Sequence, residues 1–160
     1  MNIYLIRHAE AEKTSVLKTH EERELTLRGV EILKASAELW KNYLTDIDII
    51  LSSPLKRAMQ TAEIVKKIFE VKNDIVEEIS LLNGGQTEDL LNLAGSLGLN
   101  ELALIGHQPD IGIHISLMIG ANEINSRIPP ATIAKISFDS NPGIGKGRLE
   151  FLIPPVNKKG

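Results

Sequence analysis

Four side chains able to handle a phosphoryl group sit at three distant points of this 160-residue chain: Arg7 beside His8, Arg57 just past Ser52-Ser53-Pro54, and His107 after Gly106. Arginine offers a planar fork of donors matched to the non-bridging oxygens of phosphate, and an imidazole can attack phosphorus or, once protonated, donate a hydrogen bond. The chain has no cysteine, no P-loop and no evident acidic cluster for two metals. An attack on phosphorus would therefore come from an imidazole nitrogen, with His8 as candidate nucleophile. Arg7 and Arg57 would neutralise the transferring group as it flattens, and His107, protonated by its contact with phosphate, would add a donor.

Such a site requires elements that bring the three points together. Residues 2–6 read as a short buried strand that stops at Arg7-His8, and the polar stretch 9–24 reads as a loop. Leu27, Val30, Leu33, Ala37, Trp40 and Leu44 then recur at helical spacing, with Thr26 as N-cap. A second strand over 47–51 leads to Ser53, a cap, and Pro54 at the first position of a helix whose core face is Ala58, Ala62, Val65 and Phe69. A third strand over 75–79, a turn at Gly84-Gly85 and a helix carrying Leu90, Leu91, Ala94 and Leu97 follow. The fourth strand, 102–105, ends at Gly106-His107, and Pro109 opens a helix through Ile113, Leu117 and Met118. Strands 132–138 and 148–153 form a hairpin around a glycine-rich turn. The alternation predicts an α/β three-layer sandwich: one domain over 1–160, a mostly parallel central sheet with helices on both faces, and a C-terminal hairpin. Sheets of this class bind ligands beyond the carboxyl ends of their strands, where the four side chains would converge.

Composition narrows the partners. A net charge of −3 and only three Phe, two Tyr and one Trp leave neither a basic stripe nor a stacking surface for nucleic acid. Charge appears too early in the first residues for a signal peptide or membrane span, and the lack of cysteine suits a reducing cytosol, so a cytoplasmic protein without a membrane partner is expected. His8, Glu10 and Glu12 alternate as a metal site might, but the fixed charge of Arg7 opposes a divalent ion; no metal or cofactor is expected. His114 reads as a packed imidazole, and Gly143, Gly145 and Gly147 as turn residues, since a strand follows them.

Four segments, in order, resemble the histidine phosphatase superfamily, with its phosphoglycerate mutase-like fold, and within it the small phosphohistidine phosphatases. They are Leu5-Ile6-Arg7-His8-Ala9, Glu24-Leu25-Thr26-Leu27-Arg28-Gly29, the run from Ser53-Pro54 through Arg57-Ala58-Met59-Gln60-Thr61-Ala62, and Leu104-Ile105-Gly106-His107. The resemblance implies that His8 is transiently phosphorylated and that Arg7, Arg57 and His107 bind the phosphoryl group. It points to Glu78, ahead of Glu77, as proton donor, and to Arg23 as a further substrate contact. The chain departs from the family pattern at Ala9, where glycine is usual, and at His20, where an acid is usual ahead of Arg-x-Leu-Thr. Between Arg57 and His107 the predicted elements leave no room for a lid, which favours a phosphohistidine-carrying signalling or phosphocarrier protein as substrate. A small-molecule phosphomonoesterase or mutase-like enzyme and a non-catalytic phosphoprotein-binding module remain the alternatives.

Overall fold

A computed structural model describes residues 1–122 and 127–157. The chain runs β1 (Asn2–Arg7), α1 (Leu27–Trp40), β2 (Ile49–Ser52), α2 (Lys56–Phe69), β3 (Val76–Glu77), a 3₁₀ turn (Ile79–Leu81), α3 (Thr87–Leu97), β4 (Glu101–Gly106), α4 (Asp110–Ile119), β5 (Ile133–Ser137) and β6 (Arg148–Ile153). The strands form one sheet in the order β3-β2-β4-β1-β5-β6. Pairings β2–β3, β2–β4 and β1–β4 are parallel, whereas β5 runs antiparallel to both β1 and β6. Only β5 among these strands points the other way, as the predicted hairpin requires.

Side chains alternate across a strand, and here both faces are apolar because both are covered. From β1, Ile3 and Leu5 enter one core with Leu102 and Leu104 of β4, Leu90 and Leu91 of α3, and Ile111, Ile115 and Met118 of α4. Tyr4 and Ile6 enter the other, with Ala103 and Ile105, Leu33, Ala37 and Trp40 of α1, and Ala58, Ala62 and Val65 of α2. The result is the expected three-layer sandwich. Among the described residues, no helix is long and apolar enough to cross a membrane.

Several local expectations shift. Thr26 caps α1, its Oγ1 accepting from the Gly29 N–H at 2.9 Å. Leu27, however, is exposed, and Leu44 packs in the core from beyond the helix end. Helix α2 starts at Lys56 with Leu55 in the N-cap position and no side-chain cap, so neither Ser53 nor Pro54 takes its expected place. The Ser53 hydroxyl has a stronger partner at the sheet edge, described below. Pro109 likewise precedes α4 instead of occupying its first turn. Strand β3 has two residues, since the chain turns into the 3₁₀ segment directly after Glu78. Ile113 and Leu117 follow the helical period but face outward from α4.

Close approach near the site requires glycine at position 29. A Cβ at Gly29 would lie 2.2 Å from the Glu10 carbonyl oxygen, so only glycine lets the first turn of α1 press against the segment leaving β1. That contact holds the chain immediately after His8, together with the Thr26 N–H bond to the Glu10 carbonyl at 3.0 Å.

Candidate active site

Parallel register fixes the site. Arg7 pairs with Gly106, and Ser52 with Ile105, so β1, β4 and β2 end side by side at the carboxyl edge of the sheet. The hydrogen-bond ladder continues one residue further: His8 N–H donates to the Gly106 carbonyl at 3.0 Å, and Ser53 N–H to the Ile105 carbonyl at 2.9 Å. His8 and His107 are thereby held with ring centroids 5.0 Å apart and planes inclined by 59°.

The tautomer of His8 follows from its partner. Nδ1 lies 2.7 Å from the Ala9 carbonyl oxygen. A carbonyl can only accept, so Nδ1 carries the proton and Nε2 presents its lone pair. The Ala9 peptide is itself clamped: its N–H donates to Thr61 Oγ1 at 3.1 Å, and the Thr61 hydroxyl donates to the Arg57 carbonyl at 2.8 Å. Thr61, fully buried on α2, thus ties the residue after His8 to the backbone of Arg57. Ala9 does not need the left-handed backbone that would demand glycine, since Glu70 and Ala131 are the non-glycine residues with positive φ among those described. The departure at position 9 is accommodated.

Both arginines are short of partners. The Arg57 side chain is only 2% exposed as a residue, its Nε has no partner, and neither Arg7 nor Arg57 forms an ion pair with a carboxylate among the described residues. Arg7 donates through Nη1 to the Ile128 carbonyl, and its Nε is buried and unpaired. Arg57 donates through Nη1 to the His20 carbonyl at 2.9 Å and lies with Nη2 2.8 Å from His20 Nε2. His107 Nε2 is 2.7 Å from Ser53 Oγ, while its Nδ1 is buried and unpaired. Guanidinium groups without a counter-charge beside His8, Arg57 buried and Arg7 half-buried, are suited to bind an anion.

Burial also sets protonation. It lowers the pKa of His8 to about 3, with His107, Arg57 and Arg7 adding repulsion against the opposing hydrogen bond to Ala9. His107 falls to about 4, by burial first and then through the charges of Arg57, His20, Arg7 and Arg23. Both imidazoles are therefore neutral near pH 7, and the lone pair of His8 is available.

This arrangement carries a stability signature. Two histidines that titrate near pH 6.5 when unfolded titrate well below that when folded, and burial lowers His114 in the same direction. Between those values the unfolded chain binds more protons, so stability rises with pH up to about 6.5 and then levels. Thermal unfolding should show a lower Tm at about pH 5 than at about pH 7, above the range where ordinary carboxylates titrate. An equal or higher Tm at the acid value would contradict the neutral buried imidazoles.

Of the remaining expected site residues, Glu78 lies at the same edge, its N–H bonded to the Ser52 carbonyl at 2.8 Å. Its carboxylate caps the 3₁₀ turn by accepting from Ser80 N–H at 2.9 Å, and it has no hydrogen bond or ion pair to the four central side chains. Glu77 is exposed on β3. Arg23 stands one step behind, donating through Nε to the Glu12 carbonyl, with Nη1 3.4 Å from His20 Nδ1. Glu10 and Glu12 turn to Thr26 and Lys18. Ser53, Thr61 and His20 are the contributors that sequence reasoning did not place; their partners lie 37 to 54 positions away, and no local pattern encodes them.

Comparison with known proteins bears on the family and the fold. Residues 3–94 match the family model described as histidine phosphatase superfamily (branch 1). None of the curated proteins matches the sequence. Among solved structures, the protein histidine phosphatase SixA complexed with tungstate superposes with a TM-score of 0.85 at 21% identity, covering 96% of this chain and 97% of the other. An Agrobacterium tumefaciens protein assigned as phosphohistidine phosphatase SixA gives 0.81 at 26% identity over 96% and 97%. Phosphoserine phosphatase of Entamoeba histolytica in complex with 3-phosphoglyceric acid gives 0.71 at 17% identity over 98% of each chain.

Proposed function

The chain belongs to the histidine phosphatase superfamily, and from that premise we propose that it removes phosphate from histidine of a signalling or phosphocarrier protein, through a phosphorylated His8. In the first step the Nε2 lone pair of His8 attacks phosphorus. The bond to the leaving group breaks, and its electron pair stays with that group. In the second, water attacks the phosphoryl group, the electron pair of the P–N bond returns to Nε2, and inorganic phosphate leaves. Arg7, Arg57 and His107 hold the non-bridging oxygens throughout, where each hydrogen bond strengthens as charge accumulates. The observation that supports this reading is a neutral, Nδ1-protonated His8 beside the buried Arg57 and the half-buried Arg7, neither of which has a carboxylate partner among the described residues.

The open edge supports a protein substrate. Val16, Leu17, Leu27 and Ile79 are exposed around the carboxyl edge, on the loop after β1, at the start of α1 and after β3. Exposed aliphatic side chains on the elements at this edge suit the surface of another protein better than a small, strongly hydrated phosphate ester. The short stretches between α2 and α3 contain β3 and one 3₁₀ turn, with no inserted helical cover. The cytoplasm is where such carriers would be met.

A second reading, hydrolysis of a small phosphate ester, draws support from the Entamoeba enzyme, whose structure holds 3-phosphoglyceric acid on a chain of matching architecture. The two separate by competition of substrates. For a phosphohistidine-bearing carrier, kcat/KM should exceed that for 3-phosphoglycerate or phosphoserine by about 100-fold or more. The reverse ranking would overturn the protein substrate.

A further inference from the structure

His20, on the loop after β1, meets Arg57 directly through its ring, and the mechanism above makes no use of it. Its ring lies between two groups that can only donate: Arg57 Nη2 at 2.8 Å from Nε2 and Arg23 Nη1 at 3.4 Å from Nδ1. A neutral imidazole has a single lone pair to offer in the ring plane, so it cannot satisfy both. Facing it from their own elements are Arg57 on α2, His107 at the end of β4, and Arg23 and Glu21 on the loop, and only the last of these is acidic. The trio of Arg57, His20 and Arg23 lacks an acceptor that a phosphorylated substrate would bring.

Position distinguishes His20 from the four central residues. His8, His107 and Arg57 are buried, whereas His20, in hydrogen-bond contact with Arg57, is exposed. It therefore stands on the solvent side of the arginine, with His8 on the inner side. In-line displacement at phosphorus demands that the leaving group depart opposite the attacking nitrogen. That side is the mouth of the pocket, where His20 stands exposed.

We propose that His20 is the proton donor to the leaving group, in place of Glu78, whose carboxylate caps the 3₁₀ turn. This rests on the phosphatase reading above. When a phosphate dianion binds, its oxygens replace His20 as acceptors for Arg57. The imidazole, freed and now beside a dianion, takes up a proton from solvent. As His8 Nε2 bonds to phosphorus, the bond to the leaving atom breaks with its electron pair on that atom. His20 passes its proton to the leaving group, so that an alcohol departs neutral, as does the imidazole of a phosphohistidine. Neutral His20 then accepts a proton from the attacking water in the second step, and it releases that proton to solvent as inorganic phosphate leaves and Arg57 returns to it.

The test compares leaving groups. Nitrophenolate departs readily without a proton, whereas phenolate does not. For His20→Gln, whose amide oxygen can still accept from Arg57, kcat/KM should fall about 100-fold with phenyl phosphate and less than about threefold with p-nitrophenyl phosphate. His20→Ala should repeat that contrast. Equal losses on the two esters would show a role confined to positioning Arg57, and unchanged rates would show none; either result overturns the assignment. A wild-type enzyme that dephosphorylates phosphohistidine but neither ester would also overturn it, because a competent donor at the mouth entails ester cleavage. A wild-type protein inactive on phosphohistidine and both esters would instead overturn the phosphatase reading itself.

Discussion

His8→Ala should lose turnover by at least about 10⁴-fold, since removal of a covalent nucleophile leaves only the binding contribution of the pocket. The fold should tolerate the change. The side chain makes a single hydrogen bond, to the neighbouring Ala9 carbonyl, and the backbone ladder through Gly106 does not depend on it. The arginines remain in place, so a phosphorylated partner should still bind. Rapid quenching of the wild-type enzyme with a labelled phosphohistidine donor should trap acid-labile, base-stable phosphate on His8, and the variant should trap none. If the variant kept about a tenth of wild-type activity, the covalent route would be excluded. Undiminished binding with no turnover in the wild type would instead mark a phosphoprotein-binding module.

Arg57→Lys should lower kcat/KM by about 10²–10³-fold, despite conserving charge. The guanidinium is buried and both terminal nitrogens meet His20, Nη1 at its carbonyl and Nη2 at its Nε2, while Nε is buried without a partner. An ammonium on a flexible stem can satisfy the His20 carbonyl or a phosphate oxygen, but it cannot present a fixed fork to both. The loss should appear mainly in kcat, because the planar transferring group has more charge to stabilise than the bound substrate. A change smaller than about threefold would mean that Arg57 does not grip the reacting group.

Much of this site was legible before coordinates because strand ends are. Apolar runs that stop at Arg7-His8, Ser52-Ser53 and Gly106-His107 place those residues at one edge of any parallel sheet, whatever the helices do. Helix boundaries were less legible. Ser53 and Pro54 look like a cap and a first turn, but the Ser53 hydroxyl is committed to His107, 54 positions away, and α2 begins later. Leu27, Ile113 and Leu117 keep the helical period yet stay exposed, since periodicity reports a stripe and not how far the neighbouring layer extends to cover it. The roles of Thr61 and His20 could not be read at all. Each is defined by contacts with residues on other elements, and its local sequence fits equally well with an ordinary helix interior or a solvated loop.

The proton on His8 is held in place by the main chain, through the carbonyl of Ala9. No codon change can delete a carbonyl, so genetic drift at position 9 leaves the reactive nitrogen aimed as before, provided the newcomer fits. The mutational weak point is displaced to Thr61, whose hydroxyl anchors that peptide from across the interior. A lineage acquiring valine there would keep Arg7, His8, Arg57 and His107 and still lose the hydroxyl that steadies the residue on which His8 is aimed.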